Sequence, residues 1–352
     1  MSADILQTIP KSPGVWAQAW TRLRTNTVGL VSLAITAAFL VLVGLALTGA
    51  VAKDWKKEVG ASFAPPHFVG KIDDGMQSST IDSIAGAAVD MSDVDPLAPR
   101  YAEWSERAAK FKTTVSVKAD TLTFGADQLG RDVLSKVIKG AQVSITVGLA
   151  AALVATLIGT VLGALAGYLG GPIDDALEWL YNVFTAIPYI LLIFCLAAVL
   201  KSGPFAGVLG NGVWTVVIIL GMVGWTGIYR LVRAEYIKHR AREYVRAAEA
   251  IGASHVSRMF THILPNISHV VLVQLSLHVV GFIKAEVILS FLGLGVPIDM
   301  VSWGTMLSEA QTELVQGKWW QLVAATTMMA IFVTAFALLT DALRDALDPK
   351  LR

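Results

Sequence analysis

The sequence predicts an all-α integral membrane protein with six transmembrane helices. Of its 352 residues, 55% are hydrophobic and only 16% are charged, whereas about a quarter of a soluble domain is usually charged. The charged residues are concentrated in a few segments, with long apolar runs between them. A helix needs about 20 mostly apolar residues to cross the ~30 Å hydrocarbon layer of a bilayer. Six runs in the chain meet this requirement.

Each predicted transmembrane helix corresponds to one apolar run. In chain order the runs are Val28–Ala52, Ala141–Ile173, Trp179–Leu200, Val213–Tyr229, Asn266–Leu294 and Trp319–Thr340. Gly170-Gly171-Pro172 closes the second run, and Pro265 can occupy the first turn of the fifth. Ala50-Val51-Ala52 resembles a signal-peptidase site. The apolar run before it is longer than a typical cleaved signal, so residues 28–52 are expected to remain as an anchor.

Lysine and arginine predict the orientation, because short cytoplasmic loops carry an excess of both residues. The predicted cytoplasmic segments contain Lys11, Arg22, Arg24, Arg230, Arg233, Lys238, Arg240, Arg242, Arg246, Arg258, Arg344, Lys350 and Arg352. The two short loops on the other side contain only Lys201 and Lys318. The resulting organisation has a cytoplasmic N-terminus (1–27), an extracytoplasmic segment with an amphipathic helix near its end (53–140), a core (141–345) with a cytoplasmic loop (230–265), and a cytoplasmic C-terminus (346–352). Residues 71–99 show no sustained periodicity and have a composition typical of poor order.

The most basic part of the chain, Arg230–Asn266, lies between the fourth and fifth predicted membrane helices. Glu243–Ile251 is rich in helix formers, Gly252 can close that helix in the left-handed conformation, and Ser254 can cap a second helix. The residues predicted to share one face of that second helix are Val256, Met259, Phe260 and Ile263. Two interpretations stay open at this point. The loop is either a short helix that docks into a cytoplasmic partner or an amphipathic helix on the membrane surface.

This loop resembles the cytoplasmic EAA loop of ABC importer permeases. The matching positions are Ala247, Ala248, Gly252, Leu264 and Pro265, while Arg246 stands where the pattern has Glu. The resemblance implies a coupling helix that docks into an ATP-hydrolysing subunit. The residues that it assigns to this contact are Arg246, Ala247, Ala248, Ile251, Gly252, Ala253, Ser254, Leu264 and Pro265.

Two further segments resemble the dipeptide and oligopeptide branch of these permeases. Phe124–Gly148 is similar to the GTDxxGRDVLSR motif, in which a structural signature is formed by Asp127, Gly130, Arg131 and Asp132. It precedes a predicted amphipathic stripe of Leu129, Val133, Val137 and Ala141. Ala285–Leu307 resembles the EA.LSFLGLG…SWG.ML run. An ionisable group at membrane depth must face protein or water, so the candidates for lining the translocation path or contacting a partner permease are Glu286, Lys284 and Ser290. Lys284 and Glu286 are two residues apart and should point to different sides of the helix.

The three matches occur in the family's order and cover most of residues 124–307. They imply a type I ABC importer permease fold in a bacterial cytoplasmic (inner) membrane, without enzymatic activity or a cofactor in this chain. The implied partners are a second homologous permease subunit, one or two ATP-binding subunits, an extracytoplasmic peptide-binding protein and the lipid bilayer. The implied function is ATP-driven import of dipeptides or oligopeptides.

The sequence is less consistent with several other functions. An ion-coupled secondary transporter usually has internal repeats and buried acids, but no repeat is evident and Glu286 is the only acid within the six runs. Import of nickel or glutathione by the same class stays open. The net charge of +1 lacks the basic excess of a nucleic-acid binder. No phosphate-binding loop is present, and the scattered histidines predict no metal site. Gly159, Gly163 and Gly167 indicate close helix packing.

Overall fold

The structure, a computed structural model, describes residues 15–70, 96–97, 100–109, 118–202, 212–297 and 299–347. Helices dominate these residues, and the extended backbone forms only isolated bridges within the described ranges. The helices are α1 (Val15–Thr25), α2 (Thr27–Leu47), α3 (Tyr101–Ala109), α4 (Val133–Leu169), α5 (Gly171–Ala186), α6 (Tyr189–Ser202), α7 (Val213–Arg240), α8 (Glu243–Ala250), α9 (His255–Phe291), α10 (Trp303–Val315) and α11 (Trp320–Leu347). The chain divides into a smaller unit, Lys56–Val133, and a larger unit that contains the other residues.

Within the described residues, 5 helices are long and apolar enough to cross a membrane, namely α2, α4, α7, α9 and α11. The prediction of an all-α membrane protein is confirmed. The third predicted helix, Trp179–Leu200, is wrong as a single helix, because α5 and α6 meet at 92°. Ile187 has extended backbone angles at the break and precedes Pro188, which lacks an N–H and disfavours helix in the residue before it. Counting this bent pair as one crossing gives 6.

The second predicted membrane helix is longer than its apolar run. α4 begins at Val133 and continues to Leu169, so the predicted amphipathic helix and the membrane helix form one element of 37 residues. Val133, Val137 and Ala141 are buried, as the predicted stripe requires. Leu129 precedes the helix and is exposed, so its assignment to the stripe is wrong.

Three glycines let α4 and α7 pack with their backbones close together. A Cβ atom on Gly159 would lie 2.5 Å from the carbonyl oxygen of Trp225, and one on Gly163 would lie 2.7 Å from that of Tyr229. Gly167 makes a similar approach one turn further along α4. Because no larger side chain fits these distances, the predicted close packing of the glycine stripe is confirmed.

The remaining helices of the larger unit pack against α7 or against one another. α9 contacts α7, α10 and α11, while α6 packs against α7. α2 packs along α11, where the ring centroids of Phe39 and Phe332 are 5.2 Å apart. Cys195, the only cysteine in the sequence, is exposed on α6.

In the smaller unit, Asp127 organises the turn that contains the signature residues. Its buried carboxylate accepts hydrogen bonds from the backbone N–H groups of Leu129 and Arg131, at 2.9 and 3.0 Å, and from Arg131 Nε at 2.7 Å. Gly130 has a φ of 80°, and a Cβ there would lie 2.1 Å from the carbonyl oxygen of Gly60. Only glycine satisfies both conditions. Asp132 follows this turn and immediately precedes α4.

Candidate functional site

The basic loop between α7 and α9 folds as a helix, a tight turn and a second helix. α8, Glu243–Ala250, agrees with the predicted helix to within one residue. Gly252 has a φ of 85°, so the predicted left-handed conformation is confirmed. The Ser254 hydroxyl accepts a hydrogen bond from the backbone N–H of Ser257 at 3.3 Å, which confirms the predicted cap. We call residues 243–265 the coupling segment.

The start of α9 departs from the predicted pattern because Arg258–Ile263 is π-helical. Met259 and Ile263 are buried, whereas Val256 is 66% exposed and Phe260 is also exposed. The prediction that these four side chains share one face is therefore wrong. A π-helical turn contains more residues than an α-helical turn, so the spacing of 3.6 residues does not hold across it.

The buried side of the coupling segment is anchored to α4 and α7. Val245 of α8 packs in one apolar cluster with Met259 and Ile263 of α9, and with Tyr168 and Tyr236. The Tyr236 hydroxyl also donates a hydrogen bond to the carbonyl oxygen of Met259 at 3.1 Å. The short helix α8 is thus held against two membrane-crossing helices.

Arg258 connects α9 to α8 by an ion pair that sequence reasoning missed. Its Nη1 lies 2.6 Å from Glu249 Oε1, and its Nη2 donates to His255 Nδ1 at 3.1 Å. The Tyr168 hydroxyl lies 3.2 Å from the same histidine nitrogen. The hydrogen bond from Arg258, followed by its charge, lowers the pKa of Glu249. No local sequence pattern indicates this pair, because its residues lie on opposite sides of the turn.

The turn between α8 and α9 forms an exposed tip. Ile251, a large apolar side chain, is 85% exposed. The residues that the sequence assigned to coupling differ in exposure: Arg246, Ala247, Ile251, Gly252, Ser254 and Pro265 are exposed, Ala253 and Leu264 are half-buried, and Ala248 is buried. Ile251 at the tip and Val256 in the first turn of α9 are the most exposed large apolar side chains of the coupling segment.

Glu286 and Ser290 lie inside the larger unit. Glu286 is fully buried on α9, and its Oε1 accepts a hydrogen bond from the Ser290 hydroxyl at 2.6 Å. The same hydroxyl accepts a hydrogen bond from the backbone N–H of Val296 at 3.2 Å. Neither side chain reaches the surface of this chain, and their assignment to the translocation path or to a contact with a partner permease stays a prediction. Lys284 is exposed, so it points to a different side of α9 from Glu286, as the spacing predicts.

A second buried polar group joins α4, α10 and α11. Lys136 is 1% exposed, and its ammonium donates hydrogen bonds to the Glu309 carboxylate and, at 3.1 Å, to Gln321 Oε1. Gln321 Nε2 donates to the carbonyl oxygen of Met306 at 3.2 Å. Sequence reasoning missed this group, because Lys136 and Glu309 are 173 residues apart.

The histidines of α7 and α9 contact neighbouring protein groups. His278 Nδ1 lies 3.3 Å from Thr156 Oγ1, and His278 Nε2 lies 3.2 Å from Gln274 Nε2. His239 Nδ1 lies 2.8 Å from the Tyr244 hydroxyl. Across the described ranges, no three potential metal ligands lie close enough to hold an ion.

Comparison with known proteins identifies relatives by sequence. The chain is 38% identical over 229 residues to the dipeptide transport system permease protein of Bacillus subtilis (strain 168), covering 65% of this chain and 69% of that protein. It is 39% identical over 227 residues to the oligopeptide transport system permease protein of Salmonella typhimurium, covering 64% and 72%. It is 39% identical over 231 residues to the glutathione transport system permease protein of Salmonella paratyphi A, covering 65% and 72%.

A family model matches a longer continuous part of the chain than any of the three sequence motifs covers. The match spans residues 159–352, which include α5 to α11, the coupling segment and the buried Glu286. This range is more than half of the sequence. On this match and on the membrane-crossing helices, the chain belongs to the family of binding-protein-dependent transport system inner membrane components.

Proposed function

We propose that this chain is one permease subunit of an ATP-driven importer of dipeptides or oligopeptides. Its family membership and the names of its relatives support this class of transport. The ion-coupled alternative has no comparable support. The observation that carries the proposal is the exposed tip at Ile251, which projects from a segment anchored to α4 and α7.

In this proposal the tip docks into an ATP-binding subunit. Ile251 and Val256 supply apolar contact area, and the exposed Ala247 allows close approach to α8. The Arg258–Glu249 pair and the apolar cluster transmit a displacement of α8 to the membrane helices. ATP-driven closure of two such subunits would therefore move the permeases between outward- and inward-facing states.

The translocation path is proposed to form between this chain and a second homologous permease. The exposed face of α9, with Leu277, Lys284 and Ile288, is the surface that we assign to the path or to that partner. Glu286 and Ser290 support this face from inside, since both are buried on the same helix. A separate extracytoplasmic protein would deliver the peptide.

The proposed orientation leaves both termini in the cytoplasm and residues 53–140 outside. We propose that this outer segment helps to dock the binding protein or covers the outer mouth of the path. Residues 71–99 lie mostly outside the described part of the chain. Deletion of these residues should reduce binding-protein association and uptake, and unchanged values for both would contradict this role.

Co-purification followed by reconstitution tests the main proposal. The tagged chain, extracted gently from its native membrane, should retain a second permease and one or two ATP-binding subunits in stoichiometric amounts. The complex in liposomes should accumulate a labelled dipeptide only with ATP and the binding protein. Recovery of the chain alone, with uptake driven by an ion gradient, would favour a secondary transporter instead.

Glutathione is a second candidate substrate, because one relative named for glutathione transport is 39% identical to this chain. Sequence identity therefore does not separate glutathione from other peptides. Competition resolves the two candidates: an excess of unlabelled glutathione should leave dipeptide uptake unchanged if the importer is selective for ordinary peptides. Strong inhibition, together with direct glutathione uptake, would assign the chain to glutathione transport, and nickel uptake can be measured in the same liposomes.

A further inference from the structure

A cavity of about 550 Å³ lies beside the coupling segment. It is bounded by the end of α4, the start of α5, the end of α7, and parts of α8 and α9. Its polar and charged lining residues are Tyr168, Asp174, Arg240, Arg246, Glu249, His255 and Arg258. We call it the arginine pocket. Ile251 and Val256 do not line it, so most of the pocket is separate from the exposed tip.

Both carboxylates of the arginine pocket are already paired with arginine. Asp174 accepts two hydrogen bonds from Arg233, from Nε at 2.6 Å and from Nη2 at 2.8 Å. Glu249 pairs with Arg258, as described above. Each of the two acids therefore already has an arginine partner.

Two further guanidinium groups have no carboxylate partner. Among the described residues, neither Arg240 nor Arg246 forms an ion pair. The Arg240 guanidinium lies 6.0 Å from the ring centroid of Tyr168, a distance at which cation and ring attract each other. The pocket consequently has an excess of positive charge and favours an anionic ligand.

Arg258 adds a buried hydrogen-bond donor with no partner. Its side chain is only 9% exposed, and Nη1 and Nη2 contact Glu249 and His255. Its Nε is buried and has no hydrogen-bond partner in the described part of the chain. Buried polar groups are nearly always hydrogen-bonded, so this donor indicates an unfilled contact. Guanidinium groups match the geometry of phosphate oxygens better than lysine does.

The rim of the pocket is apolar. Leu169 and Ile237 line it, and both are more than a third exposed. They lie at or near the C-terminal ends of α4 and α7, which run side by side. Basic pockets between membrane helices, next to exposed apolar surface, bind the head groups of anionic lipids.

We propose that the arginine pocket binds a phosphate group, and that its source is the head group of an anionic phospholipid in the cytoplasmic leaflet. Inorganic phosphate offers the same oxygen chemistry without the acyl chains. The leaflet assignment rests on the orientation in the proposed function. Since α8 and α9 both contribute walls, an occupied pocket would stiffen the coupling segment that meets the ATP-binding subunit.

Titration of the delipidated full-length chain in mild detergent tests this site. Isothermal titration calorimetry would use dioctanoyl phosphatidylglycerol, dioctanoyl phosphatidylcholine and inorganic phosphate as separate probes. Phosphatidylglycerol should bind at least about tenfold more tightly than phosphatidylcholine. The double variant R240Q/R246Q should weaken phosphatidylglycerol binding at least about tenfold. R344Q, which removes an exposed arginine outside the pocket, should leave it unchanged.

Each outcome bears on the phosphate site or on its source. Binding of inorganic phosphate but not phosphatidylglycerol, lost in the same double variant, supports the site and assigns it to soluble phosphate. Equal binding of both lipids, or an equal loss in R344Q, overturns the site. If R240Q/R246Q does not fold, R240K/R246K keeps the charge and should still weaken binding relative to R344K. The titration contains no ATP-binding subunit or peptide, so its failure would leave the importer proposal untouched.

Discussion

Arg258 and Glu249 form an ion pair across the turn of the coupling segment, with Nη1 and Oε1 2.6 Å apart. The two side chains differ in environment, because the arginine is buried and the glutamate is exposed. Loss of the glutamate would leave a buried guanidinium without its carboxylate, which is the costly way to break such a pair. The pair therefore stabilises the geometry of the turn more than an ion pair between two exposed side chains would.

This pair predicts a pH dependence. The pKa of Glu249 is lowered from its ordinary value of 4.5 by the hydrogen bond and charge of Arg258. A carboxyl group whose pKa is lowered in the folded state stabilises the protein at pH values above its ordinary pKa. This contribution is lost as the pH falls through the lowered pKa. The variant E249Q should therefore unfold at a lower temperature than the wild type near neutral pH. The difference in unfolding temperature between E249Q and the wild type should shrink as the pH falls below the ordinary pKa of Glu249.

Thermal unfolding in detergent over a pH series would measure this effect. D345N provides a control, because Asp345 is exposed on α11 and forms no ion pair within the described residues. Its unfolding temperature should stay close to that of the wild type near neutral pH. A difference between E249Q and the wild type that does not change with pH would contradict the assigned role of the carboxylate.

Substitution of Gly252 should uncouple ATP hydrolysis from transport. Its φ is 85°, and a Cβ there would meet no atom within 4 Å, so the cost is backbone strain rather than a clash. The left-handed conformation costs an ordinary L-residue about 1–2 kcal/mol, which reduces the population of the native turn roughly 5- to 30-fold. G252V should lower peptide uptake per ATP hydrolysed. G252N tolerates this conformation better and should stay close to the wild type.

The packing of α4 on α7 should not tolerate a methyl group. G163A would place Cβ 2.7 Å from the carbonyl oxygen of Tyr229, and overpacking of this kind costs about 1–3 kcal/mol. G44A in α2 is the matched control, because a Cβ at Gly44 meets nothing within 4 Å. Denaturant titration should show destabilisation only for G163A. Equal effects would mean that the glycine stripe is not a close contact.

Replacement of Glu309 by alanine should destabilise the protein more than its replacement by glutamine. E309A removes the carboxylate partner of the buried Lys136 ammonium, and a buried charge that loses its partner destabilises the folded state. E309Q retains an oxygen acceptor and should cost less. The double variant K136M/E309A should recover part of the stability lost in E309A, because it no longer buries a cation. Thermal unfolding of the three variants checks this order. If the double variant recovers no stability relative to E309A, the prediction is contradicted.

Local signals in the sequence predicted the coupling segment well. The extent of α8, the conformation of Gly252 and the cap at Ser254 each depend on residues within a few positions of one another. The same sequence reading failed one turn later, because the π-helical backbone changes the residue spacing. It also missed the bend at Pro188, since a search for uninterrupted apolar runs passes over a single proline.

Contacts between distant residues could not be predicted in the same way. The Lys136–Glu309 pair depends on how α4 meets α10, which no local pattern encodes. Glu286 is predicted to line the path or to contact a partner permease, because an ionisable group at membrane depth must face protein or water. That argument permits either protein or water around the carboxylate, and the structure shows a protein partner, the Ser290 hydroxyl.

The exposed Cys195 makes the chain convenient for spectroscopy. With no second thiol in the sequence, a membrane-permeant spin label or fluorophore attached there would report from one position without prior removal of native cysteines. Addition of a single cysteine at the exposed Ile251 would then create a pair of labels on α6 and the tip. The distance between these labels could be followed through the ATP cycle of the assembled complex.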